Sequence, residues 1–212
     1  MKARGAIMRD LWKLAFVVLC AAAMAGCRSQ GMRAGREGPE QDTELARREN
    51  DRAYALLRDG KYDDAEKALK SAVAADVMFG AARNNLGLVY YHQNKLYEAA
   101  WEFQNAIKLL PYQPEPRNNL GLVLEKAGKI DGAAESYDLA LEMQPDNPEF
   151  LGNLARARVR RGDRDERTRH LLEEVLMRDT RPVWRDWAQT TLFRLSHSGE
   201  IDQTPATRPF GR

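Results

Sequence analysis

Three asparagines, Asn85, Asn119 and Asn153, recur at steps of 34 residues in the middle of the chain. An asparagine amide can donate to a carbonyl and accept from an N–H at the same time, which suits sequence-tolerant binding of a peptide backbone. A leucine follows each of them, so if the leucine points into a helical core, the asparagine lies about 100° around the helix. We therefore predict that the three asparagines line one binding surface, unless they only serve local packing between repeats. Four apolar residues are predicted to form the floor of that surface: Leu88, Leu122, Tyr54 and Tyr91.

No pattern of side chains in the sequence indicates catalysis. Neither a phosphate-binding glycine loop nor a Gly-x-Ser-x-Gly nucleophile motif occurs. The histidines, His92, His170 and His197, are scattered, and a charged helix surface explains His170 beside Glu173 and Glu174 better than a metal site does. We predict a protein that is not an enzyme and has no metal, cofactor or small-molecule substrate.

The step of 34 residues extends well beyond the asparagines. Residues 83–89 and 117–123 both read Arg-Asn-Asn-Leu-Gly-Leu-Val. Small, aromatic and proline residues then follow in phase: Ala99 and Ala133, Phe103 and Tyr137, Ala106 and Ala140, Pro111 and Pro145. Such a period indicates stacked helical repeats, because one repeat is too short to bury its own apolar face. Glycine at 87 and 121 lowers helix propensity, so we expect close helix contacts there, with the four alanines as the small partners.

Two weaker copies flank the central pair. A residue suited to the left-handed end of a first helix recurs at the same step: Gly60, Asn94, Gly128 and Gly162. In the fourth copy Leu171 is in phase with Tyr137, but Arg167 and Glu174 replace the small residues. We expect the second helix of that copy to pack more loosely or to shift its register. An apolar stripe after Pro182 predicts one more helix, which would cap the last repeat.

This pattern resembles the tetratricopeptide repeat (TPR) family. The motif Leu86-Gly87-x-x-Tyr90 and the downstream residues agree with the family pattern, except that Arg83 stands where tryptophan is usual. The resemblance implies an all-α fold in which antiparallel helix pairs stack into a right-handed superhelix with a concave groove. We predict a TPR domain at 44–196 and a disordered tail at 197–212. Within the domain we predict four helix-turn-helix repeats and a capping helix, at 46–79, 80–113, 114–147, 148–180 and 182–196.

The row of asparagines resembles the asparagine ladder with which the TPR superhelix of O-GlcNAc transferase grips extended peptides. That resemblance implies that the chain binds a peptide backbone through Asn85, Asn119 and Asn153. The ladder is expected to be incomplete, because Asp51 stands at the corresponding place in the first repeat. The chain does not match the carboxylate clamp of chaperone-binding TPR proteins, which needs lysine and arginine at set places.

The first 26 residues have the pattern of a bacterial export signal. Basic residues precede an apolar run at 14–25, which is shorter than the about 17–25 residues that a membrane span needs. The run ends in Met24-Ala25-Gly26-Cys27, which resembles a lipobox and implies cleavage before Cys27 and lipid attachment to it. An ordinary signal peptide is the alternative. Residues 27–43 are then predicted to be the lipidated cysteine and a flexible tether. Arg28 stands where some inner-membrane lipoproteins have aspartate, and the resemblance to enteric sorting rules therefore implies the outer membrane, facing the periplasm.

Arginine is concentrated near the C-terminal end, where eleven arginines stand against seven acidic residues between 156 and 194. This end is predicted to be a basic patch that includes Arg156, Arg160 and Arg164, or else a solvated charged face. Nucleic acid is not expected as a partner of an exported lipoprotein.

Together these patterns predict a membrane-anchored TPR lipoprotein that acts as a protein–protein interaction adaptor at the bacterial cell envelope. It would bind a protein or an extended peptide. A more specific form of this prediction is a pilotin-like role in type IV pilus or secretin assembly. The alternative is an accessory protein of cell-wall or glycan enzymes that binds an anionic polymer through the basic patch.

We expect Cys27→Ser to abolish lipid attachment, because the serine lacks the thiol to which the lipid is joined. Metabolic labelling with a fatty-acid analogue should mark the wild type and not the variant, and the variant should leave the membrane fraction or remain unprocessed. Equal labelling of the two proteins would show that the lipid is not on this residue.

Overall fold

The computed structural model describes residues 41–197. The predicted signal peptide, Cys27 and the predicted tail from residue 198 onward lie outside the described residues, as does the tether before residue 41. Between residues 41 and 197, no helix has the length and apolar character needed to cross a membrane.

The described part of the chain folds into nine helices without a strand. In chain order they are α1 Thr43–Arg58, α2 Tyr62–Ala75, α3 Gly80–His92, α4 Leu96–Leu109, α5 Glu115–Lys126, α6 Ile130–Met143, α7 Pro148–Arg161, α8 Glu166–Arg178 and α9 Pro182–His197. Thr43, the last residue of the predicted tether, begins α1, and His197, the first residue of the predicted tail, ends α9. The predicted all-α class, with four helix pairs and a capping helix, is confirmed.

Successive helix pairs stack so that each covers the apolar face of the one before it. The first helices of adjacent repeats (α1 and α3, α3 and α5, α5 and α7) contact one another directly, and each also packs on the second helix of the preceding repeat. The first helices therefore form one continuous surface of the array, which we call the inner face. The buried core consists largely of alanines, and Leu69, Phe103, Tyr137 and Leu172 are among its largest fully buried side chains.

The glycines of the repeated motif lie against aromatic rings. A Cβ added at Gly87 would come within 2.7 Å of the Phe103 ring, and one added at Gly121 within 2.5 Å of the Tyr137 ring. Both distances are shorter than van der Waals contact. The prediction of a close helix contact is therefore confirmed, but the predicted partner was wrong. The four alanines are fully buried, at 99, 106, 133 and 140, yet the nearest atoms to each glycine belong to the aromatic side chain.

The predicted left-handed residues are confirmed at the ends of all four first helices. Gly60, Asn94, Gly128 and Gly162 have φ values of 71°, 62°, 77° and 98°. After the first three of these residues, the second helix begins two positions later. After Gly162 it begins four positions later, at Glu166.

The fourth repeat shifts its register by one residue as a result of this longer turn. Thr168, Leu172 and Val175 are fully buried and lie 35 residues after Ala133, Tyr137 and Ala140. The predicted equivalence of Leu171 with Tyr137 was therefore wrong, because Leu172 occupies that place. Arg167 is correspondingly exposed, where the unshifted phase would have buried it.

An aspartate fixes the longer turn. Asp165 caps α8: its Oδ1 accepts hydrogen bonds from the backbone N–H (2.9 Å) and the hydroxyl (2.8 Å) of Thr168. The guanidinium of Arg158 donates to Asp165 Oδ2 at 2.7 Å and to Thr168 Oγ1 at 3.0 Å. The bonds from Thr168, together with Arg158, lower the pKa of Asp165 to about 2. The second helices of the first three repeats have a lysine at this capping position and no side-chain cap.

A buried carboxylate connects the third repeat to the fourth. Glu125 in α5 accepts hydrogen bonds from Tyr137 Oη at 2.8 Å, from Arg156 Nε and Nη2 at 2.9 and 2.7 Å, and from Arg160 Nη1 at 2.8 Å. Burial opposes ionisation of Glu125, but these hydrogen bonds outweigh it and lower its pKa to about 2. The second repeat has Phe103 at the position of Tyr137 and Tyr91 at the position of Glu125, so it lacks this link.

We expect Gly87→Ala to destabilise the fold by about 1–3 kcal/mol, because the new methyl group collides with the buried Phe103 ring. Urea denaturation of the two proteins measures the difference. Gly132→Ala is the matched control: its Cβ would lie 3.4 Å from the nearest side-chain atom, inside a helix. That variant should be neutral or slightly stabilised through helix propensity. Equal losses in the two variants would rule out a specific collision with the ring.

We expect Glu125→Gln to lower the free energy of unfolding near neutral pH by about 2–3 kcal/mol, since it leaves two arginines without their shared carboxylate. The ordinary pKa of glutamate is 4.5 and the folded pKa is about 2. The contribution of Glu125 is therefore present above pH 4.5 and is lost as the pH falls towards 2.

The difference in stability between wild type and Glu125→Gln, measured by denaturant melts across this range, should shrink correspondingly. Glu66 and Asp165 titrate in the same range in both proteins, so only the difference is informative. Tyr137→Phe is the control: it removes one hydrogen bond to the carboxylate, at a cost of about 1.5–3 kcal/mol, but keeps both arginine contacts, so its difference from wild type should depend less on pH. A difference that stays constant from pH 6 to pH 2.5 would contradict the assignment.

Candidate peptide-binding surface

Each asparagine of the predicted row donates a hydrogen bond to an asparagine of the preceding repeat. Asn85 Nδ2 donates to Asn50 Oδ1 at 2.8 Å, and Asn119 Nδ2 donates to Asn84 Oδ1 at 3.0 Å. Asn153 Nδ2 donates to Asn118 Oδ1 at 2.8 Å. Each bond joins the first helices of two adjacent repeats. We call these six residues the asparagine ladder.

The acceptors of the ladder were missed in the sequence. Asn50, Asn84 and Asn118 also recur at 34 residues, each 35 residues before its donor. The signal was visible as the doubled asparagine at 84 and 85 and again at 118 and 119. Adjacent side chains on one helix point about 100° apart, so the second asparagine of one repeat can reach the first asparagine of the preceding repeat.

The ladder changes what the predicted site residues can do. Asn153 is only 3% exposed, and its Oδ1 also accepts from Arg156 Nη2 at 3.2 Å, so the structure uses this amide internally. The expectation that Asn153 presents its amide to a partner was therefore wrong. Asn85 and Asn119 are half-buried. Each uses one N–H for the ladder and keeps an open side on the inner face.

The ladder ends where the capping helix begins. Gly152 stands where the earlier repeats have an acceptor asparagine, and the Trp184 ring of α9 lies 3.0 Å from the place of its missing Cβ. Trp184 also packs edge-on against Trp187, with 5.7 Å between ring centroids. At the other end, Asp51 is exposed, and no repeat precedes it among the described residues.

The predicted apolar floor is mixed in character. Tyr54 is 58% exposed on α1, whereas Leu88 and Leu122 are half-buried and pack against the core. Tyr91 is half-buried, and the Lys126 ammonium lies 4.6 Å from its ring centroid. Exposed or half-open apolar side chains thus lie along the same first helices as the ladder.

His92, at the end of α3, is in close contact with two aromatic rings. It stacks on Tyr62 at 4.9 Å between ring centroids and meets the edge of Tyr91 at 5.7 Å. Burial and the nearby Lys126 ammonium lower the pKa of His92. In residues 41–197, no group of three or more His, Cys, Asp or Glu side chains is arranged to hold a metal ion.

The predicted basic patch is largely neutralised. Arg156 and Arg160 both bind Glu125, and Arg156 also lies over the Trp184 ring at 5.1 Å. Of the three predicted residues, only Arg164 is exposed on a turn with no acidic side chain in ion-pair distance among the described residues. Six further arginines of this region pair with carboxylates: Arg158, Arg161, Arg167, Arg169, Arg178 and Arg181. The excess of arginine in the sequence is therefore a poor guide to the charge available for binding.

Several solved structures have a similar fold. The first TPR domain of Spaghetti (RPAP3), bound to the HSP90 peptide SRMEEVD, matches with a TM-score of 0.57 at 21% identity, over 59% of this chain and all of that chain. MamA matches with a TM-score of 0.53 at 19% identity, over 76% of this chain and 81% of that one.

A mutant of the Thermobaculum terrenum O-GlcNAc transferase matches with a TM-score of 0.60 at 24% identity. This match covers 64% of the present chain but 26% of the transferase, so it concerns only part of that enzyme. None of the curated proteins matches the chain significantly in sequence.

The sequence profile of the tetratricopeptide repeat matches residues 50–114 and 118–166, more than half of the chain. The matched residues include the glycine–aromatic contacts and the asparagine ladder described above. The chain belongs to the tetratricopeptide repeat family.

Proposed function

We propose that this protein is a lipid-anchored adaptor of the bacterial cell envelope that binds a protein or an extended peptide on its inner face. The observation that carries the proposal is the inner face itself. Asn85 and Asn119 each use one N–H for the ladder, and they lie on the same row of first helices as Tyr54, Leu88 and Tyr91, none of which is fully buried. A surface of this kind offers a partner both hydrogen bonds and apolar contacts.

An extended peptide is the partner that suits this surface best. Each half-buried asparagine keeps one N–H donor and acceptor capacity on its carbonyl, the pair of groups that a peptide backbone requires. The RPAP3 domains support a peptide partner by analogy of fold, since their structures hold HSP90 and HSP70 peptides. Because Asn153 is buried, the proposed contact is centred on the second and third repeats.

The cellular setting of the proposal follows from the lipobox resemblance at Met24–Cys27. A cleaved and lipidated Cys27 would anchor the protein in a membrane, in our proposal the outer membrane facing the periplasm. There the adaptor would recruit its partner to the membrane surface. A pilotin-like role in secretin or type IV pilus assembly is one specific form of this activity.

The alternative, binding of an anionic polymer through the arginine-rich end, has less support. Two of its three proposed residues, Arg156 and Arg160, already share the carboxylate of Glu125. Arg164 remains available, and it lines a shallow depression together with Arg194 and Trp187. We therefore rank this function second.

We expect a photo-crosslinking amino acid in place of Tyr54 to trap the partner in living cells, because this side chain is exposed on the inner face. The same replacement at Tyr97 is the matched control: that tyrosine is 81% exposed but belongs to a second helix. Crosslinked products are separated by size and identified by mass spectrometry. Crosslinking from Tyr97 with none from Tyr54 would place the partner away from the inner face and contradict the proposal.

A further inference from the structure

Exposed apolar side chains are concentrated at one edge of the repeat array. This edge is formed by the ends of the second helices and the beginnings of the next first helices, and we call it the proximal edge. Its most exposed members are Tyr112 at 91%, Val183 at 78% and Met177 at 69%. The full set of exposed apolar residues at this edge is Val77, Met78, Tyr112, Met143, Met177 and Val183.

The same edge contains the first of the described residues. The backbone N–H of Asp42 donates to Ala75 O at 2.9 Å, and Thr43 Oγ1 donates to Asp76 Oδ2 at 2.9 Å. These two bonds hold the start of α1 against the end of α2. Because the helices of each pair are antiparallel and the pairs are stacked, all the second helices end on this side.

The opposite edge has a different chemistry. It consists of the turns within the repeats, at 59–61, 93–95, 127–129 and 162–165. No large exposed apolar residue lies in these described turns, although Tyr97 at the beginning of α4 and Phe193 in the last turn of α9 are exposed on this side. Instead each turn has an exposed cation: Lys61, Lys95, Lys129 and Arg164.

We propose that the proximal edge contacts the lipid surface in which Cys27 is anchored; this inference rests on the lipidation proposed above. Fifteen residues, 28–42, separate Cys27 from α1. Fifteen residues reach at most about 50 Å even when fully extended, so the edge at which α1 begins is the one held nearest to the anchor.

The contact is weak for each side chain and effective only in combination with the anchor. The six apolar side chains occupy four places along the edge, at 77–78, 112, 143 and around the connection 178–182, so at most two insert together into the interfacial region of the bilayer. Membrane attachment becomes stable when two such signals combine. A tether of this length keeps the edge at a high local concentration relative to the membrane, so shallow insertion suffices to orient the domain.

The inferred orientation sets the direction of the inner face. The helices run from one edge to the other, so they stand along the membrane normal. The asparagine ladder crosses from helix to helix and therefore runs parallel to the membrane. A peptide lying along the ladder would extend beside the lipid surface.

Depth-dependent fluorescence quenching tests the inference. The full-length lipoprotein is reconstituted into phosphatidylethanolamine–phosphatidylglycerol vesicles with single cysteines carrying an environment-sensitive dye. The proximal positions are Met78→Cys and Tyr112→Cys, and the matched controls are Lys95→Cys and Lys129→Cys at the opposite edge. Circular dichroism verifies that each variant is folded. Lipids with a quencher in the acyl chain should quench the proximal dyes at least twofold more strongly than the control dyes.

A flotation assay of the vesicles distinguishes failure of the proposed orientation from failure of the proposed lipid anchoring. Protein that floats with the vesicles but shows equal quenching at both edges would overturn the proposed orientation and leave the anchoring intact. Protein that does not float, in a sample in which mass spectrometry finds no lipid on Cys27, would overturn both the anchoring and the orientation.

Discussion

A single helix pair of this protein cannot bury its own apolar surface, and every other feature of the fold answers that constraint. The second repeat shows how the surface is covered. Phe103 packs on Gly87 within its own helix pair, and it is buried in one cluster with Val123 of the next repeat. Stability is therefore distributed over the interfaces between layers, as in other repeat proteins. A change at one interface is felt by its two neighbours.

The sequence predicted the local structure correctly at positions that have the same structural role in every repeat. A residue in left-handed conformation follows each first helix, at Gly60, Asn94, Gly128 and Gly162. This conformation depends on the local backbone, so it can be predicted without knowing which residues pack nearby. The helix pairs could be predicted from the 34-residue period for the same reason. The partner of a side chain was harder to predict. Alanine was expected opposite Gly87, yet an aromatic ring lies there, because small residues and rings recur with the same phase.

The register of α8 and the role of Glu125 could not be predicted from the 34-residue period, because neither feature is repeated in the other repeats. The turn after Gly162 is longer than its three counterparts, and the register of α8 shifts by one residue, so Leu172 is buried at the place expected for Leu171. Glu125 was overlooked because its importance depends on four hydrogen bonds that come from three residues on two other helices. Two of those donors, Arg156 and Arg160, were consequently predicted to be available for binding.

The asparagines illustrate how one residue type can serve both the fold and recognition. An amide has more hydrogen-bonding groups than one neighbour can satisfy. In Asn85 and Asn119 the neighbouring repeat takes one N–H and leaves the rest on the inner face. In Asn153 the neighbouring arginine takes the carbonyl as well. The difference between a structural and a binding asparagine therefore lies in its surroundings, and the sequence position alone does not determine it.

The contact between the Trp184 ring and Gly152 marks the end of the asparagine ladder. An asparagine at that position would offer an acceptor to the first helix of any further repeat, including one from a second molecule. Glycine removes the acceptor, and the indole covers the backbone where a new layer would stack. At this end of the described fold the layer after α7 is therefore α9, and a contact between an indole ring and a glycine replaces the amide bonds that join the earlier first helices.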